Sequence, residues 1–340
     1  MSALAIPQGS TVLVTGVNGY MGSHTADQFL LAGYKVRGTV RDVSRAQWVQ
    51  ELFDKKYGPG KFELFAVPKM NAEGAFDEAV KGVSGVAHLA SNVYLSPDPN
   101  EVIPEVIAGA LNVLKSAART PSVKRVVYTS SSITTGFPQP NTPISTTPQS
   151  WNTVVSALAW APGPYEEERK WVVYAASKTE AEQACWKFME EEKPGFEFST
   201  VLPSVNFGAS LYKEQQSETL GWIQTLLKGD VETAKKDGMS PYWFVDVSDS
   251  ARLHVAALIN PTVKAERIFA YSQPFNWSDV LDALRKAYPE RTWPENIPDE
   301  PRDLSTVESR ERSVELLKAL GRDGFITLEE SVKSNAVQTL

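Results

Sequence analysis

Tyr174 and Lys178 stand four residues apart in the stretch Tyr174, Ala175, Ala176, Ser177, Lys178. On a helix that spacing stacks the two side chains on one face. The pair has a definite chemical use. A phenol titrates near about 10, too high to exchange protons easily at neutral pH, and a neighbouring ammonium together with a cationic nicotinamide ring favours the phenolate. A tyrosine placed in this way can protonate the oxygen that gains negative charge as a carbonyl carbon is reduced, and the lysine can hydrogen-bond a ribose. The spacing alone is common on amphipathic helices. It gains weight from its place in the chain, after a strand-like run from Lys124 to Thr129 that ends in Ser130, Ser131 and Ser132, any of which can supply a hydroxyl to the same oxygen.

Those side chains need a scaffold, and the N-terminus supplies its first piece. Thr11 to Val14 is a β-branched run that predicts a buried parallel strand, and the glycines Gly16, Gly19 and Gly22 follow before an apolar-periodic helix through Phe29, Leu30 and Leu31. Glycine permits positive φ and close approach of a pyrophosphate, and the helix start presents free N–H groups to an anion. A dinucleotide site is the expectation. Tyr34 to Val40 predicts the second strand, with Arg37 and Arg41 around its end. Arg37 lies 21 residues beyond Gly16 (37 − 16), the offset at which an acid would hold an NAD ribose, whereas positive charge suits a 2′-phosphate. The arginines therefore point to NADP, with Asp42 as the acid that would argue otherwise.

Further strands are expected at Phe62 to Val67, Gly85 to Leu89, Lys124 to Thr129 and Phe196 to Leu202, and helices at Ser44 to Phe53, Phe76 to Lys81, Glu105 to Ala118 and Val173 to Glu190. Later helices are expected at Thr219 to Leu227, Val247 to Ile259, Ser278 to Tyr288, Glu308 to Leu320 and Leu328 to Val337, with a strand at Arg267 to Ala270. This alternation predicts an α/β fold, a doubly wound parallel sheet of Rossmann type with a smaller, mostly helical C-terminal substrate lobe. The dinucleotide-binding domain is assigned to 1–203 plus about 243–270, and the substrate lobe to about 204–242 and 271–340. Between Gly136 and Gly163 the chain is rich in Pro, Ser and Thr yet carries Phe137, Trp151 and Trp160. A long irregular segment with large apolar residues is expected to cover something, here as a closing loop near the nicotinamide.

The chain has 340 residues with a formal net charge of −7, which disfavours a nucleic-acid partner. It has no apolar run long enough to span a membrane, and Met1 to Gln8 lacks the pattern of a signal peptide. The single cysteine, Cys185, reads as a packed thiol, and His24, His88 and His254 show no metal spacing, so no metal is expected. A cytoplasmic monomer or homodimer acting on a small molecule fits these bounds. Asn112 reads as a polar structural contact.

The sequence resembles the extended short-chain dehydrogenases/reductases, in particular the fungal NADPH-dependent aldehyde and ketone reductases related to dihydroflavonol reductase. The likeness is carried by Thr15 to Gly22, Gly33 to Gly38, His88 to Ser91, Ser122 to Ser131, Tyr174 to Glu182, Leu202 with Pro203, and Asp246 to Asp249, and so spans the chain. It implies Tyr174 as proton donor, Lys178 as the group that lowers its pKa and binds ribose, and Ser131, in preference to Ser130, as the residue orienting the carbonyl. It also implies Tyr20 and Met21 beside the pyrophosphate, Arg37 on the 2′-phosphate, Ala90 near the cofactor, and Pro203, Ser204 and Val205 near the nicotinamide. The implied reaction transfers the pro-S hydride of NADPH to an aldehyde or ketone. One position departs from the pattern: Lys69 stands where relatives usually carry an acid that accepts from the adenine amino group, and a lysine cannot accept.

Val205, Asn206, Phe207, Trp222, Tyr242, Trp243 and Phe244 suggest an apolar pocket together with the loop aromatics, hence an apolar or aromatic carbonyl, ketoester or diketone as substrate. Two rival readings share much of this sequence. An NAD-dependent sugar-nucleotide epimerase or dehydratase has the same turn, serine, tyrosine and lysine, and Arg37 argues against it. A non-catalytic dinucleotide sensor would not need the tyrosine and lysine.

Overall fold

The computed structural model describes residues 4–92, 95–215 and 217–337. Its strands are β1 (Thr11–Thr15), β2 (Lys35–Val40), β3 (Phe62–Ala66), β4 (Gly85–His88), β5 (Arg125–Thr129), β6 (Ser145–Thr146), β7 (Glu197–Pro203), β8 (Val205–Phe207), β9 (Tyr242–Asp246), β10 (Arg267–Ala270), β11 (Gln273–Phe275) and β12 (Thr306–Val307). The helices are α1 (Tyr20–Leu31), α2 (Gln47–Tyr57), α3 (Pro99–Ala118), α4 (Val154–Ala159), α5 (Lys170–Glu192), α6 (Glu218–Leu227), α7 (Val231–Asp237), α8 (Val247–Ile259), α9 (Trp277–Ala287), α10 (Arg310–Ala319) and α11 (Leu328–Ala336).

Seven strands form one parallel sheet in the order β10-β7-β5-β4-β1-β2-β3. Both faces are covered, which is why its strands read as nearly continuous apolar runs. Val12 and Val14 of β1 and Val127 of β5 pack into the cluster with Phe29 of α1 and Leu253 of α8, whereas Leu13, Val126 and Tyr128 face the cluster built on Val113 of α3 and Cys185 of α5. Chain order reverses between β1 and β4, so a crevice opens beyond their C-terminal ends, where doubly wound sheets bind ligands. The predicted fold is therefore the observed one.

The smaller lobe holds more strand than the sequence suggests. β8, β9 and β11 form a three-stranded sheet of order β11-β9-β8. Around it Phe207, Phe244, Phe275, Trp222 and Trp277 make a core of their own with α6, α9 and α11. Of the stretch 243–270, α8 and β10 join the large sheet's layers, while 243–246 belong to this small one. The helix expected at Phe76 to Lys81 is instead a run of turns between Gly74 and Gly82, both at positive φ. α3 starts six residues earlier than expected (105 − 99), with Asp98 capping Asn100 N and proline at the first helical position.

The segment 136–163 is mostly irregular, but it is pinned. β6 pairs with β12, Asn141 N donates to Arg302 O at 2.8 Å, and α4 packs on α5. This argues against the expected closing loop and for a fixed wall.

Candidate active site

The glycine-rich turn is shaped by close approach. Gly16 has φ +70°, and a Cβ there would meet the Ala90 backbone at 3.2 Å, so the exits of β1 and β4 lie against each other. A Cβ on Gly22 would overlap the Gly16 carbonyl, and Gly19 N donates to that same carbonyl at 3.0 Å. Gly19 is the N-cap of α1 and brings no side-chain acceptor to its first turn. The N–H groups there are thus left for an anion. Thr15 locks the two strand exits together: its Oγ1 accepts from Leu89 N at 2.9 Å and Ala90 N at 2.8 Å, and its own proton goes to His88 Nδ1 at 2.9 Å. Burial holds His88 down to about 3, so it is neutral and can accept.

Tyr20 turns its ring inward, donating from its hydroxyl to Gly208 O at 2.7 Å, and with Met21 it packs on Leu220 and Val247. Pro203 ends β7 and Val205 begins β8, both buried, with Ser204 Oγ donating to Trp243 O at 2.6 Å. Ala90 follows β4 at the switch point, and the neighbouring Ser91 Oγ is buried with no partner.

Arg37 is not at the strand end. It sits in the middle of β2 opposite Leu13 and Glu63, donates from Nε to Glu63 Oε1 at 2.6 Å, and donates from Nη1 to Ala79 O and Lys81 O at 2.9 and 2.8 Å. Its Nε and Nη1 are committed to these in-sheet partners, so the expectation that it binds a 2′-phosphate is corrected. The cation that does follow β2 is Arg41, which is exposed. The offset from Gly16 misleads because it counts to an in-sheet position, while the phosphate pocket lies beyond the strand. Lys69 is exposed, and Asn112 Nδ2 donates to Met70 O and Ala72 O, a structural grip on the chain leaving β3.

Tyr174, Lys178 and the serines meet at the end of β5. α5 carries Tyr174 and Lys178 one turn apart, and Lys178 Nζ donates to Thr129 O at 3.1 Å. Burial lowers Lys178 to about 8, opposed by the negative charge of Glu182. Burial raises the Tyr174 phenol, and a hydrogen bond with Ser131 is what opposes that rise. The three serines divide: the Ser131 hydroxyl is what holds the Tyr174 phenol down, Ser130 Oγ donates to Glu182 Oε2 at 2.6 Å, and Ser132 O accepts from Thr135 Oγ1 at 2.8 Å.

The aromatic residues expected to line one pocket do not converge. Phe207, Trp222 and Phe244 are core of the small lobe, Phe137 packs on the α3–α5 side of the sheet, Trp151 lies 3.8 Å over Arg267, and Trp160 donates to Glu180. The sequence assigns no role to Thr15 or Glu182, although both lie within the motifs that carry the resemblance and Glu182 extends the spacing of Tyr174 and Lys178 by one more turn.

Sheet order and strand-end chemistry together define a class: dinucleotide-dependent enzymes of the short-chain dehydrogenase/reductase type, with cofactor at the switch point and a Ser, Tyr and Lys group at the end of β5. The model of the family described as "NAD dependent epimerase/dehydratase family" matches residues 12–270. Aldehyde reductase 2 of Sporidiobolus salmonicolor is 43% identical over 330 residues, covering 96% of this chain and 95% of its own. A ketoreductase of Penicillium rubens is 38% identical, with 96% of each chain covered. The yeast methylglyoxal/isovaleraldehyde reductase Gre2, crystallised with NADPH, superimposes with TM-score 0.81 at 25% identity, covering 97% of this chain and 98% of that one. The chain belongs to the NAD dependent epimerase/dehydratase family and, within it, to the carbonyl and aldehyde reductases of the extended short-chain dehydrogenases/reductases.

Proposed function

We propose that this protein reduces small neutral aldehydes and ketones to alcohols, with Tyr174 as proton donor, Ser131 holding the carbonyl oxygen and Lys178 holding the nicotinamide ribose. The chain is an NADPH-dependent oxidoreductase acting on carbonyl substrates. The single observation that carries the assignment of roles is the meeting of Tyr174 and Lys178, one helical turn apart on α5, with the serine turn at the C-terminal end of β5, where Lys178 Nζ donates to Thr129 O beside the switch point.

The residues present suit the cofactor. The uncapped first turn of α1 fits a pyrophosphate, with the N–H groups of Tyr20 and Met21 and the glycines Gly16, Gly19 and Gly22 around it. The unpartnered Ser91 hydroxyl and the chain at Ala90, Pro203 and Val205 fit the adjoining riboside. We assign the 2′-phosphate to Arg41 in place of Arg37. When bound, NADPH supplies the hydride. Tyr174 keeps its proton because burial raises its pKa, so the phenol is in its donating form at neutral pH. Ser131 and Tyr174 together give two donors to one developing oxyanion. Lys178, mostly charged below pH 8, adds electrostatic support as the phenol loses its proton.

Similarity to a named aldehyde reductase and a ketoreductase supports carbonyl substrates, and the reading extends to ketoesters and diketones. No described helix is long and apolar enough to cross a membrane. A cytoplasmic monomer or homodimer belongs to the same reading, supported by a lone buried cysteine that forms no disulfide. We take 204–242 and 271–340 as the lobe that shapes the substrate side.

The test is consumption of NADPH and of NADH with aldehydes, ketoesters, diketones and aryl ketones, for the wild type and Tyr174→Phe. NADPH-preferring turnover that disappears in Tyr174→Phe supports the assignment. Tight cofactor binding with no turnover on any carbonyl, or interconversion of a nucleotide sugar without net cofactor use, would return the sensor or the epimerase.

A further inference from the structure

Tyr174, Lys178 and Glu182 occupy successive turns of one face of α5, and the third of them has no part in proton transfer. Glu182 is fully buried. Its Oε2 accepts from Ser130 Oγ at 2.6 Å and lies 3.1 Å from Thr134 Oγ1, and its Oε1 accepts from Thr200 Oγ1 at 2.9 Å and Trp186 Nε1 at 3.3 Å. Arg267, from the start of β10, neutralises it through Nε at 2.8 Å and Nη2 at 3.2 Å. A buried carboxylate that receives so many donors is rigid, because each lost bond would leave a buried polar group unpaired.

What these bonds hold is the turn around Ser131. Ser130 precedes it, and Thr134 Oγ1 lies 2.8 Å from Ser131 O while also accepting from Arg267 Nη2 at 3.1 Å. The Ser131 hydroxyl itself makes a long contact within the turn, its Oγ accepting from Ile133 N at 3.4 Å. Its neighbours are fixed to Glu182, and its own hydroxyl is left for Tyr174. Arg267 extends the same frame outward. Its Nη1 donates to Pro148 O at 2.9 Å and Ser150 O at 2.7 Å, its guanidinium lies on the Trp151 ring, and Asn152 closes the seam by bonding Ile133 O and Thr134 O.

We propose that Glu182 and Arg267 are a buried positioning pair that sets the Ser131 hydroxyl against Tyr174 and fixes the 148–152 wall to the same turn. The inference rests on the roles assigned to Ser131 and Tyr174 above. A buried ion pair is weak evidence of stability, since replacing both charges by apolar groups is often neutral. Its use here is geometric.

The test is a double-mutant cycle on kcat for reduction of one aldehyde, with NADPH affinity measured separately by titration. Glu182→Gln is made in the wild type and in Ser131→Ala. If Glu182 acts through Ser131, the change lowers kcat about 10- to 100-fold in the wild type, less than about 3-fold in Ser131→Ala, and leaves NADPH affinity within about 2-fold in both. A scaffold role gives the same fractional loss in both backgrounds, and that result overturns the proposal. Arg267→Lys keeps the charge but not the fork, and runs through the same cycle should Glu182→Gln fail to fold. Wild-type turnover that survives Tyr174→Phe would instead remove the assignment beneath the proposal, so the two failures are distinguishable.

Discussion

Arg37 Nε and Glu63 Oε1 are 2.6 Å apart across the β2–β3 ladder, and this pairing commits the guanidinium within the sheet. The cation available beyond β2 is Arg41. Arg41→Ala should raise the KM for NADPH about 10- to 100-fold while leaving that for NADH nearly unchanged, because a charge-assisted bond to phosphate is lost and ribose contacts are not. Arg37→Ala should leave the NADPH to NADH ratio within about 2-fold and lower the melting temperature by a few degrees. Steady-state kinetics with both cofactors decides, and a switch in preference from Arg37→Ala would restore the offset argument.

The adjacent serines should separate cleanly. Ser131→Ala removes a donor to the reacting oxygen and should lower kcat about 10- to 100-fold with no loss of thermal stability. Ser130→Ala removes one of the hydrogen bonds to the buried Glu182 carboxylate and should cost about 1–3 kcal/mol of stability, with a smaller effect on turnover. Denaturant midpoints and kcat for the two variants provide the comparison, and equal effects on both quantities would erase the distinction.

The pattern of what was readable explains this division. Strand β1, its glycines, and the Tyr174–Lys178 spacing are local signals, set by period and by backbone freedom within a few residues. The doubly wound sheet followed from them because alternation of strands and helices leaves few ways to wind. Arg37, Glu182 and Arg267 were different: their roles depend on partners 26, 85 and 133 residues away, which periodicity does not encode. The strands β8, β9 and β11 were missed for a related reason. They are at most five residues long, and aromatic runs such as Tyr242, Trp243 and Phe244 read equally as pocket lining and as a strand buried on both faces.

Lys178 should trade stability for function. Its folded pKa is about 8, below the ordinary value of 10.5, because burial disfavours the charged form. Between pH 8 and 10.5 the unfolded chain therefore binds more protons than the folded one, and this group makes stability rise with pH across that window. Below pH 8 the folded protein carries the full burden of the buried charge. Lys178→Met should melt at a higher temperature at pH 7 and lose at least about 100-fold in kcat/KM, and wild-type reduction should fall as pH rises through 8. A variant that melts lower at pH 7 would show that the bond to Thr129 O outweighs the desolvation.

The acid limb of stability should belong in part to the histidines beneath the site. Thr15 Oγ1 gives its proton to His88 Nδ1, and Thr129 Oγ1 lies 2.7 Å from His254 Nε2, whose ring donates from Nδ1 to Ser250 O at 2.7 Å. Both rings are neutral, held by burial to about 3 and about 4. The unfolded chain takes up these protons near the ordinary value of 6.5, so the stability they permit is complete above that pH and is lost as pH falls toward 4 and then 3. Each group contributes at most about 1.4 kcal/mol per pH unit in its window. His88→Phe leaves the Thr15 proton without an acceptor and should cost about 1–3 kcal/mol at pH 7. It should also flatten the decline between pH 6.5 and 3 by up to one proton's slope relative to the wild type, as read from denaturant unfolding at a series of pH values. An unchanged slope would mean that His88 is already charged in the folded protein, which would require the Thr15 hydroxyl to release Nδ1 and the β1–β4 exits to part.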